Sequence, residues 1–229
     1  MAESMTVEQL AFQEQINTGT TWTHNDFFDE NGYLILKNLS NPEDLYHPVP
    51  KMKGQYRYWD KNPEHFNYEP VESQVEGSTS RYWHPQYRKI HSGIRLKLEE
   101  IIGRKLYNTY YYDRFYYPGQ ELTKHADRDA CEISVSVHVS TNLKGEDAKW
   151  PFWIKTPSGE ERSLSLEPGD GLLYKGCERP HWRDSMPGVR KRDIIPFLKK
   201  TNPYYYHQIF FHYVLQDGQR AHCAWDQTR

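Results

Sequence analysis

His125-Ala126-Asp127 sets an imidazole and a carboxylate two residues apart in a chain of 229 residues. At an extended strand end, such neighbours project from one face, so both can reach one ion. His181, far along the chain and just after the alternating stretch Pro168 to Tyr174, offers a third donor. Two histidines and one carboxylate on one face of an octahedron leave three positions open, the arrangement that activates O2 at Fe(II). Neutral imidazole suits iron, and a single carboxylate leaves a net positive site that accepts an anionic co-substrate. Taken alone the pair is a weak signal, because with 11 histidines in the chain a distal partner can nearly always be found. The bland alternatives are a surface turn for His125, a turn or cap acid for Asp127, and a partly buried position beside Trp182 for His181.

The elements that must position these side chains fall into two halves. Thr6 and Gln9 read as a capping box opening a helix through about Ile16, and Asn25 caps a second that stops at Asn31-Gly32. Tyr33 to Leu39 reads as a first strand. From Asn41 to Arg81, Pro, Gly, charges and aromatics mix without a clear period, which suits a long surface segment acting as a lid. His84-Pro85 opens a helix with Ile90, Ile94, Leu98, Ile101 and Ile102 on one side and Gly103 as its stop. Beyond Gly103 the period becomes that of strands: Leu106 to Tyr117, Cys131 to Ser140, Trp150 to Lys155, Arg162 to Leu166, Gly171 to Tyr174, Pro180 to Arg183 and Tyr205 to Leu215. Turn signals such as Pro118-Gly119, Ser158-Gly159 and Pro187-Gly188 separate them. Many short strands after a helical third imply a sandwich or barrel braced by helices, in one domain spanning 1–229, with 1–103 as mostly helical support and lid and 104–229 as the β core.

Charged residues make up 26% of the sequence and leave a formal net charge of -2, so no global field points to nucleic acid or an anionic membrane. The clusters Arg190-Lys191-Arg192 and Lys199-Lys200 would have to supply any phosphate contacts, and runs of that size are ordinarily solvated loops. Met1 to Phe12 has no basic region followed by an apolar run, and no segment reaches the roughly 20 apolar residues a membrane span needs, so a cytoplasmic protein is expected. Three scattered cysteines, without a CxxC pair, argue against a disulfide framework or a structural zinc site. The 18 Tyr and 7 Trp serve first as packing residues, with stacking platforms for bases or sugars as the functional alternative.

Three segments resemble the Fe(II)/2-oxoglutarate-dependent dioxygenases, in particular the prolyl-hydroxylase-like and phytanoyl-CoA-hydroxylase-like members. Phe27 to Leu36 resembles their N-terminal entry, Arg114 to Asp127 their strand, turn and first ligands, and Pro168 to Tyr174 followed by Pro180 to Arg183 the approach to their distal histidine. The resemblance implies a mainly β fold, a double-stranded β-helix or jelly roll with flanking N-terminal α-helices. It implies Fe(II) held by His125, Asp127 and His181, with 2-oxoglutarate and O2 as co-substrates. Hydroxylation of a C–H bond in a small molecule or a side chain is the implied outcome, since halogenases of the family lack the carboxylate that Asp127 supplies.

The co-substrate's distal carboxylate needs a cation, ideally an Arg fork. Relatives carry it shortly past the distal histidine, where this chain has Arg190, Lys191 and Arg192 in a Pro/Gly-flanked stretch. Arg183, two residues beyond His181, faces the same interior if its strand continues, and is the first choice; a surface ion pair with Asp184 is its plain alternative. Tyr117 matches a tyrosine that donates to the same carboxylate, or else packs at a turn. Arg128 and Glu132 are candidates to steady the metal loop or form an exposed pair. His138 shares a polar strand face with Ser134, Ser136 and Ser140, facing either the barrel interior or water. Two other readings stay open: a cupin-type metal enzyme that does not use 2-oxoglutarate, and a non-catalytic jelly-roll module that binds carbohydrate. Met52 to Tyr82, with Tyr56, Trp59 and nearby Trp83, is the expected substrate-recognition lid.

Overall fold

The computed structural model describes residues 24–188 and 204–226. The expected helix at Thr6 to Ile16, and Arg190, Lys191, Arg192, Lys199 and Lys200, lie outside the described residues. Among the described residues no helix is long and apolar enough to cross a membrane.

The order of elements is α1 (Asp26–Asn31), β1 (Tyr33–Leu36), α2 (Pro42–Leu45), β2 (Gly54–Tyr58), β3 (Phe66–Glu69), β4 (Thr79–Tyr82), α3 (Arg88–Ile102), β5 (Leu106–Tyr116), β6 (Leu122–His125), β7 (Ile133–Thr141), β8 (Phe152–Lys155), β9 (Glu161–Leu164), β10 (Gly171–Tyr174), β11 (His181–Arg183) and β12 (Tyr206–Leu215). The strands form two sheets, a large one ordered β1-β10-β7-β12-β5-β4-β2-β3 and a small one ordered β6-β11-β8-β9. All pairs are antiparallel except β2 with β4. This is the expected mainly β jelly roll, with helices packed on the outside of its large sheet.

The helix ends follow local chemistry. The Asn25 side chain accepts from the Phe28 N–H to cap α1, and Gly32 closes it in the left-handed region at φ 74. On α3, Ile94, Leu98 and Ile101 are each no more than 3% exposed and pack against Ile133, Val135, Val137 and Val139 of β7 and Ile209 and Phe211 of β12. Burial on this scale contributes about 1.5–3 kcal/mol per side chain, which is what fixes the helix to the sheet. The opposite face of the same strands carries Ser134, Ser136 and His138, all buried. That polar face looks into the barrel, where Phe152 and Ile154 of the small sheet meet Leu172 and Tyr174 of the large one.

The segment from Asn41 to Arg81, expected as an irregular lid, instead holds α2 and three strands that widen the large sheet. Its period was hidden because its inward positions are polar. Arg81 of β4 is 1% exposed and donates through Nε to Asp113 of β5 at 3.0 Å, while His207 Nε2 of β12 sits 2.6 Å from the same carboxylate. Burial pushes the Asp113 carboxyl up, but Arg81 and His207 more than offset it and hold it below the usual carboxylate range. A buried charge must be paired, and this one joins three neighbouring strands on the helix side of the sheet.

Candidate metal centre

β6 ends at His125 and β11 begins at His181, and the two residues are direct cross-strand partners. Such partners stand roughly 5 Å apart, and these imidazole centroids are 4.4 Å apart. Asp127 turns back towards them because its N–H donates to Gly176 O at 2.9 Å, and the Gly176 N–H donates to Glu132 O at 3.1 Å. Asp127 Oδ1 then lies 3.5 Å from His125 Nε2 and 3.6 Å from His181 Nε2. One ligand atom from each residue falls within 4.8 Å of the others. Ligands about 2.1 Å from one ion and at right angles stand about 3 Å apart, so a small contraction closes the set.

The tautomers are fixed from behind. His125 Nδ1 is 2.7 Å from Thr123 O and His181 Nδ1 is 2.9 Å from Arg179 O, so each N–H donates to a carbonyl and leaves the Nε2 lone pair facing inward. Phe152 stacks on His181 at 5.4 Å and Tyr174 meets its edge at 4.8 Å, locking the ring plane. Burial opposes ionisation of Asp127, but His181 and His125 outweigh it and hold the carboxyl below the usual range. Burial likewise opposes protonation of His125, and Asp127 outweighs it, raising that pKa above the ordinary value. The three groups therefore stand as an anion among imidazoles, a donor set that fits a divalent ion.

The second carboxylate oxygen is also held. Ser134 Oγ donates to Asp127 Oδ2 at 3.2 Å and stands 2.9 Å from His212 Nδ1. Asp127, Cys131 and His212 form a second close group, but it shares Asp127 and has the Ser134 hydroxyl wedged between the acid and His212. Ser134 lies on the polar strand face it was expected to share with His138, whereas His212 escaped the sequence reading of the site; strand alternation, which puts Tyr206, Gln208, Phe210 and His212 on one face, was the available signal.

Arg183 points inward and is 1% exposed, so the surface pair with Asp184 does not form. One guanidinium nitrogen donates to Trp150 O at 2.6 Å, and the rings of Trp150, Tyr206 and Phe152 surround the group at 4.5, 4.9 and 5.5 Å. Among the described residues its Nε has no hydrogen-bond partner and no carboxylate lies within ion-pair range. His138, stacked 4.1 Å from Tyr206, likewise has an unpartnered buried Nε2.

Tyr117 is not in this set. It follows β5 with the parity of Asp113 and Phe115, and its hydroxyl lies 3.0 Å from Thr79 Oγ1 with Lys53 over its ring. Tyr116, one residue earlier, faces the interior against Trp150 and Tyr206. Arg128 pairs with Asp226, and Glu132 accepts from the Leu215 N–H and pairs with Arg220, so both tie the C-terminal segment down rather than touching the ligands. Of the expected lid, Tyr56 donates to Met52 O and Trp59 stacks on His65; the part that reaches the metal centre is Glu72 to Val75, which the sequence did not single out. Arg114, fully buried on β5, holds that part in place.

No protein-family model and no curated protein matches the sequence. Solved structures do match. A Pseudomonas putida prolyl-4-hydroxylase aligns with a TM-score of 0.53 at 13% identity, covering 82% of this chain and 95% of its own. A Trichoplax adhaerens prolyl hydroxylase, in complex with a hypoxia inducible factor oxygen degradation domain peptide fragment, gives 0.55 at 12% identity over 92% of this chain and 94% of its own. HygX from Streptomyces hygroscopicus, with nickel and 2-oxoglutarate bound, gives 0.52 at 10% identity over 91% and 87%. The chain thus has the fold of the 2-oxoglutarate/Fe(II) oxygenases, and its three candidate ligands converge inside that jelly roll.

Proposed function

We propose that the protein is an Fe(II)/2-oxoglutarate-dependent oxygenase, one domain over 1–229, that hydroxylates a small molecule or a protein side chain. His125, Asp127 and His181 hold the metal in this reading. The observation that carries it is the convergence of two Nε2 lone pairs on Asp127 Oδ1, with both Nδ1 atoms already engaged by carbonyls. When bound, the iron with 2-oxoglutarate and O2 supplies the oxidising power, giving succinate, CO2 and an oxygen atom for a C–H bond.

The chain's own residues do the rest. Arg183 binds the distal carboxylate of the 2-oxo acid; its buried Nε without a partner is the donor such an anion would satisfy. Trp150, Phe152 and Tyr206 keep water away from that guanidinium, which strengthens its attraction for an anion. Ser134 fixes the outer oxygen of Asp127, so the inner one stays directed at the centre. The peptide bound by the Trichoplax neighbour lends support to a side-chain substrate.

The test is anaerobic loading with Fe(II) and 2-oxoglutarate, watched for a visible metal-to-ligand charge-transfer band. The band is expected in the wild type and lost in His125→Ala. Metal uptake without the band, or without succinate when air is admitted, would leave only a cupin-type metal protein.

A further inference from the structure

Beside the three candidate ligands stands a side chain with one end tied and the other directed at the centre. Glu72 is 1% exposed and Arg114 is fully buried, and the two are joined at 3.0 Å. The Glu72 carboxylate also accepts from the backbone N–H groups of Gln74 at 3.0 Å and Val75 at 2.6 Å, so the turn is pinned from within. Arg114 donates through the same nitrogen to Gln74 Oε1 at 2.9 Å. A guanidinium only donates, so the carbonyl end of the amide must face it and the NH2 end must face away. That NH2 lies 3.4 Å from His125 Nε2, the atom whose lone pair points at the centre.

We propose that Gln74 is a ligand-binding residue of the centre: its amide NH2 donates to the small exogenous ligand that shares the ion with His125. The inference rests on the metal-site reading above but not on 2-oxoglutarate. A ligand sharing the ion with His125 would lie beside Nε2, within hydrogen-bonding reach of the Gln74 amide 3.4 Å from that atom. Arg114 holds the carbonyl end of this exposed side chain, so when the ion takes the Nε2 lone pair the NH2 has only to turn from that atom to the neighbouring ligand. The centre should therefore favour ligands that bring an accepting atom to its His125 side.

Azide on the Co(II)-loaded protein is the probe, its affinity read from the cobalt d–d spectrum. A hydrogen bond to a charged acceptor is worth enough that Gln74→Leu should weaken azide by about tenfold, with cobalt affinity close to wild type. Gln74→Glu separates donation from scaffolding. It keeps, and strengthens, the contact with Arg114 but presents an oxygen to the centre, so it should bind azide more weakly than the leucine variant. Azide affinity within twofold of wild type in Gln74→Leu, or wild-type affinity in Gln74→Glu, would overturn the proposal. A wild type that takes up cobalt but no azide overturns this inference alone, whereas one that takes up no cobalt overturns the metal-site reading with it.

Discussion

Gly176 offers the sharpest test of how the centre is held. A Cβ built on it would meet Cys131 O, Asp127 Oδ2 and Ser134 Oγ, all closer than 3.0 Å. An ordinary carbon–oxygen contact is about 3.3 Å or more, so the neighbours must yield by about 0.5 to 1 Å. Cys131 O is backbone and has little freedom. The carboxylate of Asp127 can turn, and turning is what a ligand cannot afford. Gly176→Ala should therefore act twice. Overpacking costs about 1–3 kcal/mol of stability in the metal-free protein. Displacing the carboxylate and stretching the 2.9 Å bond from the Asp127 N–H to Gly176 O should lower metal affinity by about 10- to 100-fold, the usual penalty for disturbing a ligand's support. Urea unfolding in the presence of a chelator reads the first effect, and cobalt titration of the folded variant the second. Wild-type cobalt affinity in a destabilised Gly176→Ala would refute the reasoning, because it would mean Asp127 is not the group that must stay put.

Arg183→Met should abolish 2-oxoglutarate binding while leaving the metal-free protein within about 1 kcal/mol of wild type or more stable, since a buried cation without a carboxylate adds little to folding; a large loss in urea midpoint would make Arg183 a structural residue instead. Asp113→Ala strands Arg81 in the core and should cost about 3–5 kcal/mol in urea unfolding, yet leave cobalt affinity unchanged, because that pair lies on the opposite face of the sheet. Burial lowers the pKa of His84 and His138 to about 4 and of His91 to about 3. The unfolded chain takes up these protons near pH 6.5 and the folded one does not, so their contribution is complete above that pH and is lost as pH falls towards 4. At pH 5 each should cost about 2 kcal/mol relative to pH 7.5. Urea midpoints of the chelated protein check this, and His91→Gln should remove about 2 kcal/mol of the loss between pH 7.5 and 5; an unchanged profile in that variant would count against burial of the neutral ring.

How much of this was legible in the sequence depended on whether a strand's inward face was apolar. β7 and α3 were readable because Ile133, Val135, Val137 and Val139 alternate and Ile94, Leu98 and Ile101 recur at helical spacing. The candidate ligands His125, Asp127 and His181 were singled out by the three resembling segments rather than by residue type, since a His-x-Asp pair among 11 histidines is a weak signal; the structure brings their ligand atoms together. β2 and β4 were not, since Gln55 and Arg81 occupy positions where a hydrophobic pattern would show. Tyr117 was named from its likeness to a tyrosine of the resembling family, whereas strand parity, counted from Tyr110 and Tyr112, turns Tyr116 to the interior. Gln74 and Arg114 could not be paired in advance, because their 40-residue separation along the chain says nothing about contact.

The interior of the barrel is where the sequence departs from core chemistry, and that departure argues for a binding role. One face of β5, β7 and β12 is closed by α3 with aliphatic contacts. The other places Arg114, Ser134, Ser136, His138, Gln208 and His212 where a stable sandwich would have apolar side chains. Buried polar groups without partners cost about 1–3 kcal/mol each, and among the described residues Arg183 Nε and His138 Nε2 have none. Aromatic rings around Arg183 lower the local dielectric and raise that cost. The same surroundings make the guanidinium a stronger anion receptor than it would be at the surface. In the proposed reading the anionic co-substrate offsets that cost, and the arrangement lies two residues along β11 from His181.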